Sequence, residues 1–300
     1  VALKNRLLAC TVVFLMIATA SLAGVAYWQI RTEIIDGVTK EISTAVRGNR
    51  ETLARWMAQR RDAIEATANR LSGSASPLPF LIACKDAGRF NLTYAGYSDK
   101  KMVYHTEKKP AEGYDPTIRP WYKAAMEKKG TVATAPYIFA SNNKLGITVA
   151  RPFENNGIQA VVGGDITLEE IVTLVKSIEL RGNGYAFLAT QDGKIVAHPK
   201  PDSALKPVEE IAPGFDPAIL KSAGLSISLR ASEIGNRTKY VATSLVPGTD
   251  WVLCTVVDKA TILTPLRSLL WILVFASLAV VLLGACIVMF NIEGEDRHVA

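Results

Sequence analysis

Two long stretches of this chain carry no charge at all: 24 residues from Leu7 to Ile30 and 25 from Ser268 to Ile292. A helix rising about 1.5 Å per residue needs about 20 apolar residues to cross the hydrocarbon core of a bilayer, so either stretch is long enough. Arg6 and Arg31 bracket the first, and Arg267 and Glu293 the second. Tyr27, Trp28 and Trp271 stand near the water-facing ends, where amphipathic rings sit best. With 49% of residues hydrophobic and 21% charged, the 300-residue composition excludes disorder, collagen and an ordinary cytosolic enzyme. A double-spanning chain with one large hydrophilic loop remains.

Ala18-Thr19-Ala20 resembles a signal cleavage site. The apolar run is much longer than the ~7–15 residues of a secretory signal, so a retained helix is expected. Lys4 and Arg6 put the amino terminus in the cytoplasm by the positive-inside rule, and the second span returns the chain there. The tail from Glu293 to Ala300 is acidic and too short for an output domain, so a chain cut just past the membrane is expected. The net charge of +6 then falls on the outer loop, a weak bias toward anionic small molecules. No basic run with interleaved aromatics suggests nucleic acid as a partner. Cys84 and Cys254 lie in an oxidising space and can pair, although nothing in their spacing argues for it. No CxxC or His/Cys cluster points to a metal, and no cofactor is expected.

Beyond the first span, apolar residues recur at Ile30, Ile34, Val38, Ile42, Val46, Leu53, Trp56, Ile64, Ala68 and Leu71. These gaps fit multiples of ~3.6 and predict one helix continuous with the span, ended by Gly73, Pro77 and Pro79. So long a helix suits a stalk. Past residue 80 the pattern reads as short β-runs broken by turns. Asp99-Lys100-Lys101-Met102-Val103-Tyr104-His105 matches Asp192-Gly193-Lys194-Ile195-Val196-Ala197-His198 at an offset of 93, and Ala160–Asp165 matches Leu253–Asp258 at the same offset. Two matches at one offset indicate a duplicated module. Leu168–Leu180 reads as the helix joining the copies.

The phrases RPWY, APY and GGDITLEEI in the first copy, and GYAFLATQDGKIVAHP in the second, resemble the double Cache sensor domain of bacterial chemoreceptors and related transmembrane kinases and cyclases. The resemblance covers nearly all of 31–292. It implies an α/β (α+β) fold: a long N-terminal stalk helix and two tandem PAS-like modules, flanked by two transmembrane helices. The expected divisions are a cytoplasmic N-terminus 1–6, a first span 7–30, a stalk 31–75, a membrane-distal ligand-binding Cache module 76–175, a membrane-proximal module 176–262, a second span 267–292 and a cytoplasmic tail 293–300. It also implies a homodimer in the bacterial inner membrane, and cytoplasmic partners reached through an output region absent from this chain. That output is a methyl-accepting signalling helix, a histidine kinase or a cyclic-dinucleotide enzyme.

Tyr114 to Tyr122 is the densest polar-aromatic cluster, with Tyr137 and Asp165 following in the same module. Together they suit a small zwitterion. Arg119 offers a planar fork of donors to a carboxylate, Trp121 an indole N–H and Tyr114 a phenol. Asp165 can accept from an ammonium group, with Tyr122 and Tyr137 as wall and hydroxyl. Their spacing is similar to the amino-acid-binding signature of double Cache domains. There the arginine, tryptophan and first tyrosine hold the ligand carboxylate, while the later tyrosine and the aspartate hold its amino group. Many such binders carry another acidic residue two positions after the later tyrosine. Here that position is Phe139, so a plain organic acid stands as the alternative ligand.

Other readings of these residues stay open at this level. Arg119 can be a surface ion pair beside core aromatics, and Asp165 a helix cap. His105 and His198, equivalent in the repeat, suggest a role in the fold; Asp99 and Asp192 read as turn residues, and Lys100, Lys101, Lys108 and Lys109 as solvated loop charges. No GxSxG, HExxH or supported Cys–His arrangement argues for an enzyme, and an adhesive ectodomain is the third reading. Pro265 marks the junction with the second span as a bend or helix start.

Overall fold

The computed structural model describes residues 2–107, 109–180 and 184–298; Lys108, read above as a loop charge, lies outside them. The chain divides into two compact units, Ile42–Asp258 and Val1–Glu41 with Lys259–Ala300.

In the second of these lie most of helix α1 before residue 42 and the exit helices. α1 runs unbroken from Ala2 to Leu71, and α7 (Lys259–Ile262) is followed by α8 (Thr264–His298). Among the described residues two helical segments are long and apolar enough to cross a membrane, Cys10–Leu71 and Ser268–Ile287, whose richest windows have mean hydropathies of 2.0 and 2.7. Pro265 sits at the second residue of α8, where a helix has no partner for an N–H and proline is accommodated.

The unit Ile42–Asp258 begins with the remainder of α1. Ile42, Val46, Leu53, Met57, Ile64, Ala68 and Leu71 are buried at gaps of three, four and seven, the stripe expected of a packed helix. Arg60 falls on the same stripe and is 2% exposed. It stacks over Trp56 at 3.7 Å and pairs with Glu170 at 2.6 Å, which keeps a buried guanidinium compensated. Arg61 donates to carbonyls of both halves of the unit, Thr131 and Gly248. After α1 the chain turns through Gly73 at φ +76.

The start of the run past residue 80, expected to be β-structure, instead belongs to helix α2 (Leu78–Gly88). Its buried Leu81, Cys84 and Gly88 are three and four apart, a helical period that the neighbouring prolines obscured. The same prolines that stop α1 stand at the start of α2, where their missing N–H is harmless.

The first sheet contains β1 (Leu92–Tyr97), β2 (Met102–Tyr104), β3 (Val132–Ala133), β4 (Tyr137–Ile138), β5 (Leu145–Asn155) and β6 (Ile158–Thr167). Their order is β2-β1-β6-β5-β3, with β4 also on β5, and helix α3 (Pro120–Lys128) packs against it. Helix α4 (Leu168–Lys176) leads to the second sheet, of β7 (Tyr185–Thr190), β8 (Ile195–Ala197), β9 (Ser228–Ile234), β10 (Arg237–Leu245) and β11 (Trp251–Asp258). Its order, β8-β7-β11-β10-β9, repeats the first, with short helices α5 (Val208–Ile211) and α6 (Ala218–Lys221) in the connection. Both sheets are antiparallel throughout. The duplication is literal: β1 and β2 become β7 and β8 when every bound is shifted by 93.

α4 stops four residues short of the expected Leu180. The Ser177 hydroxyl donates to the Leu174 carbonyl, and the Ile178 N–H reaches back only three residues to Val175, so the last turn tightens and closes. Cys84 and Cys254, left open as a pair above, are both buried and free.

Candidate ligand-binding site

The segment ahead of α3 is built to present one side chain. Asp115 caps a single 3-10 turn, Pro116–Ile118, by accepting from the Thr117 N–H at 2.9 Å and its hydroxyl at 2.6 Å. Arg119 follows in extended conformation (φ −79, ψ 150), as the residue before a proline prefers. Pro120 then opens α3, whose first turn buries Trp121 and Tyr122. Arg119 is therefore not part of the helix and lies with its guanidinium 5.9 Å from the Tyr114 ring. Its Nε is buried without a hydrogen-bond partner.

Asp165 lies in the middle of the sheet. β6 pairs with β1 on one side and β5 on the other, placing Leu92 and Thr148 directly across from it. The Tyr94 hydroxyl donates to Asp165 Oδ1 at 2.6 Å, and the Thr148 hydroxyl donates to the same oxygen at 2.7 Å. Tyr137 joins the network through Thr148 at 2.6 Å. Gly163 makes this possible: a Cβ there would meet the Tyr94 ring at 2.6 Å. Asp165 is 3% exposed. Burial pushes its carboxyl up to about 7, with the Tyr94 and Thr148 hydroxyls holding it down in part. The helix-cap reading falls away, because α4 begins after Thr167 and takes no side-chain cap.

Five of the six residues expected from the sequence, Tyr114, Arg119, Trp121, Tyr137 and Asp165, line one cavity of about 20 Å³. Tyr122 does not. Successive residues on an α-helix point about 100° apart, so Trp121 and Tyr122 cannot both face one cavity from α3. Tyr122 packs instead in the aromatic core, its ring centroid 5.6 Å from that of Trp121. The cavity also takes Leu92 and Tyr94 from β1, Met102 and Tyr104 from β2, and Phe139. None of the four strand residues was singled out from the sequence. The usable signal was the two-residue period: Leu92 and Tyr94 share a face of β1, and β2 sets Tyr104 opposite Tyr94.

The two histidines of the repeat serve the backbone. His105 Nδ1 accepts from the Thr93 N–H, and His198 Nδ1 from the Lys200 N–H. Among the described residues no three His, Cys, Asp or Glu side chains are grouped to hold a metal.

Charge at the site is simple. Arg119 and Asp165 are the only ionisable side chains of opposite sign on the cavity wall, and among the described residues neither forms a salt bridge. Arg119 suits a carboxylate and Asp165 an ammonium group, and any ligand larger than about one water has to open the cavity.

The profile of the Cache domain family, dCache_1, matches residues 19–266. A methyl-accepting chemotaxis protein of Pseudomonas aeruginosa, PctB, is 34% identical over 224 residues, covering 71% of this chain and 34% of that protein. The solved ligand-binding domain of PctB in complex with L-Gln is similar at 30% identity and a TM-score of 0.61, covering 75% of this chain and 92% of that one. The ligand-binding domain of the Pseudomonas fluorescens chemoreceptor CtaA in complex with L-isoleucine is 25% identical, with a TM-score of 0.63 and coverage of 78% and 98%. The chain spans about a third of the length of the curated relatives it matches.

Proposed function

The chain belongs to the dCache_1 family of Cache domains, and from that premise we propose that it is the sensor region of a two-pass transmembrane chemoreceptor that binds an amino acid. The observation that carries this reading is the isolated pair, Arg119 and Asp165, on one small cavity wall. The proposed ligand places its carboxylate on the Arg119 fork, with the Trp121 indole and Tyr114 hydroxyl beside it. Its ammonium lies on Asp165, whose Oδ1 is already engaged by two hydroxyls, leaving Oδ2 to the ligand. Three charged hydrogen bonds at the upper end of ~1.5–3 kcal/mol sum to about 9 kcal/mol, near the −8 kcal/mol that corresponds to 1 μM. No chemistry is performed on the ligand.

The distal ligand-binding module is 76–175, the proximal module 176–262, and the spans 7–30 and 267–292 cross the cell membrane with both ends in the cytoplasm. Signalling is a population shift. Ligand favours the arrangement that closes the distal module around it, by as much as it binds that arrangement more tightly. β6, which carries Asp165, runs directly into α4 and so to the proximal module, whose last strand leads through α7 into α8. A helix shift then reaches an output partner outside this chain. Two copies joined along α1 form the signalling unit.

Thermal melting of the chain in nanodiscs, against amino acids, organic acids and amines, tests the reading. Ligand at 100 times its dissociation constant adds about 2.7 kcal/mol, a shift of several degrees for a unit of this size. If no carboxylate-bearing compound moves the melt, the binding site is misassigned.

The pH dependence separates an amino acid from a plain acid. An ammonium group needs Asp165 ionised, and its carboxyl titrates at about 7. Amino-acid affinity is therefore flat just above pH 7 and falls about tenfold per unit below it. An organic acid binds best when Asp165 is neutral, so its affinity rises through the same window. The other groups on the network, Tyr94 and Tyr137, are held protonated well above this range by burial. Calorimetry at pH 5.5, 6.5 and 7.5 reads the sign directly.

A further inference from the structure

Thr148 stands at the centre of the hydrogen-bonded chain behind the cavity without lining the cavity itself. It lies directly across from Asp165 in the pairing of β5 with β6 and is fully buried. Tyr94, Tyr137 and Asp165 are on the cavity wall and Thr148 is not. Thr134 clamps its backbone: the Thr134 hydroxyl accepts from the Thr148 N–H at 3.0 Å, and the Thr134 N–H donates to the Thr148 carbonyl at 3.0 Å. The Thr148 methyl group lies 3.2 Å from where a Cβ of Gly163 would stand. The side chain is thus held in one orientation, with its hydroxyl on Asp165.

A hydroxyl has one proton to give and two lone pairs to offer. With Asp165 ionised, as an ammonium ligand requires, the Thr148 proton goes to Oδ1 at 2.7 Å and the Tyr94 proton to the same oxygen at 2.6 Å. The contact between Tyr137 and Thr148, at 2.6 Å, then has a single donor, the Tyr137 O–H. With that proton committed, Tyr137 has only lone pairs left for the cavity. Resting on the amino-acid reading above, we propose that Thr148 is a positioning residue for ligand recognition: by taking the Tyr137 proton while giving its own to Asp165, it presents the Tyr137 oxygen as a second acceptor for the ammonium group. The titratable and charged groups around Asp165 are Tyr94 from β1, Tyr104 from β2, Tyr137 from β4, and Tyr114 and Arg119 ahead of α3. Burial keeps all four phenols protonated through neutral pH, so none of them reverses the chain.

The test is calorimetric titration of the chain in nanodiscs with L-alanine and with propionate, the same acid without its amino group, at pH 6, 7 and 8. Thr148→Val keeps the shape and removes the hydroxyl, so the Tyr137 O–H is free to point at the ammonium group and Asp165 loses a donor. L-alanine should bind this variant at least about tenfold more weakly at pH 8, while propionate binds no more weakly than to wild type. The fall in L-alanine affinity, centred near pH 7 in the wild type, should also move to higher pH, because the ionised carboxyl has lost a hydrogen bond. Thr148→Ser restores the hydroxyl and should restore both readings. A purely structural role would weaken both ligands and leave the pH midpoint in place, and that result overturns the inference while the amino-acid reading stands. No binding of L-alanine by wild type overturns both. Should Thr148→Val not fold, Thr148→Cys, whose thiol donates and accepts only weakly, carries the same two expectations.

Discussion

Asp165→Asn raises the melting temperature of the sensor unit above pH 7 and at the same time removes its response to amino acids. The two effects have one cause. Folding moves the Asp165 carboxyl from an ordinary 3.8 to about 7, because burial disfavours the charge more than the Tyr94 and Thr148 hydroxyls favour it. With a raised folded-state value, the folded protein holds the proton more tightly than the unfolded chain. The stability this confers is fully present below about pH 4, is lost as pH rises toward 7, and stays lost above it. A shift of about three units is worth on the order of 4 kcal/mol at 1.36 kcal/mol per unit. Asparagine keeps an oxygen for the two hydroxyls without the buried charge, so a gain of several degrees is expected at pH 8. It also removes the anion that receives an ammonium group. Melting curves at pH 4, 6 and 8, with and without L-alanine, test both halves. The wild type should lose stability between pH 4 and pH 7, and the variant should not. A variant that melts lower than wild type at pH 8, or still shifts with L-alanine, contradicts the assignment.

Under the proposed function, a ligand ammonium group on Asp165 offsets the cost of its buried charge, so ligand binding and stability above pH 7 are expected to be coupled through this one carboxylate.

How much of this was readable from residues alone follows from which interactions are local. The duplication was, because β1, β2 and their turn recur as β7, β8 and theirs at a fixed 93 residues, and hydrophobic alternation survives sequence drift. Arg119 was, because Asp115, Pro116 and Pro120 dictate their own turn within six residues. Tyr94 and Thr148 were not. They reach Asp165 only through the pairing of β6 with β1 and β5, at separations of 71 and 17 residues. Tyr122 was included on adjacency in RPWY, yet adjacency on a helix turns a side chain away. α2 was missed for the converse reason: the chain past residue 80 read as short β-runs, while tertiary burial of Leu81 and Cys84 selected helix.

Arg119→Ala should abolish binding of every carboxylate while leaving the melt without ligand within about a degree of wild type. Arg119 is the N-cap residue of α3, but its side chain makes no capping bond and forms no salt bridge among the described residues, so folding draws little from its charge. The side chain is half-buried with its Nε unpartnered, so truncating it removes no hydrogen bond at that nitrogen. The ligand loses the bidentate charged hydrogen bonds of the guanidinium, two at ~1.5–3 kcal/mol each, a drop of at least about a hundredfold that takes micromolar binding to about 100 μM or weaker. Trp121 provides the contrast. It is 1% exposed and packs on Tyr94 with centroids 4.9 Å apart, so Trp121→Ala should lower the basal melt by the ~3–5 kcal/mol of a large core deletion. Arg119→Lys keeps the charge but not the planar fork, and should recover only part of the affinity. The decisive comparison is the basal melt of Arg119→Ala. Collapse there would make Arg119 a structural residue, whereas an unchanged melt with no ligand shift is the behaviour of a group held in place for a ligand carboxylate.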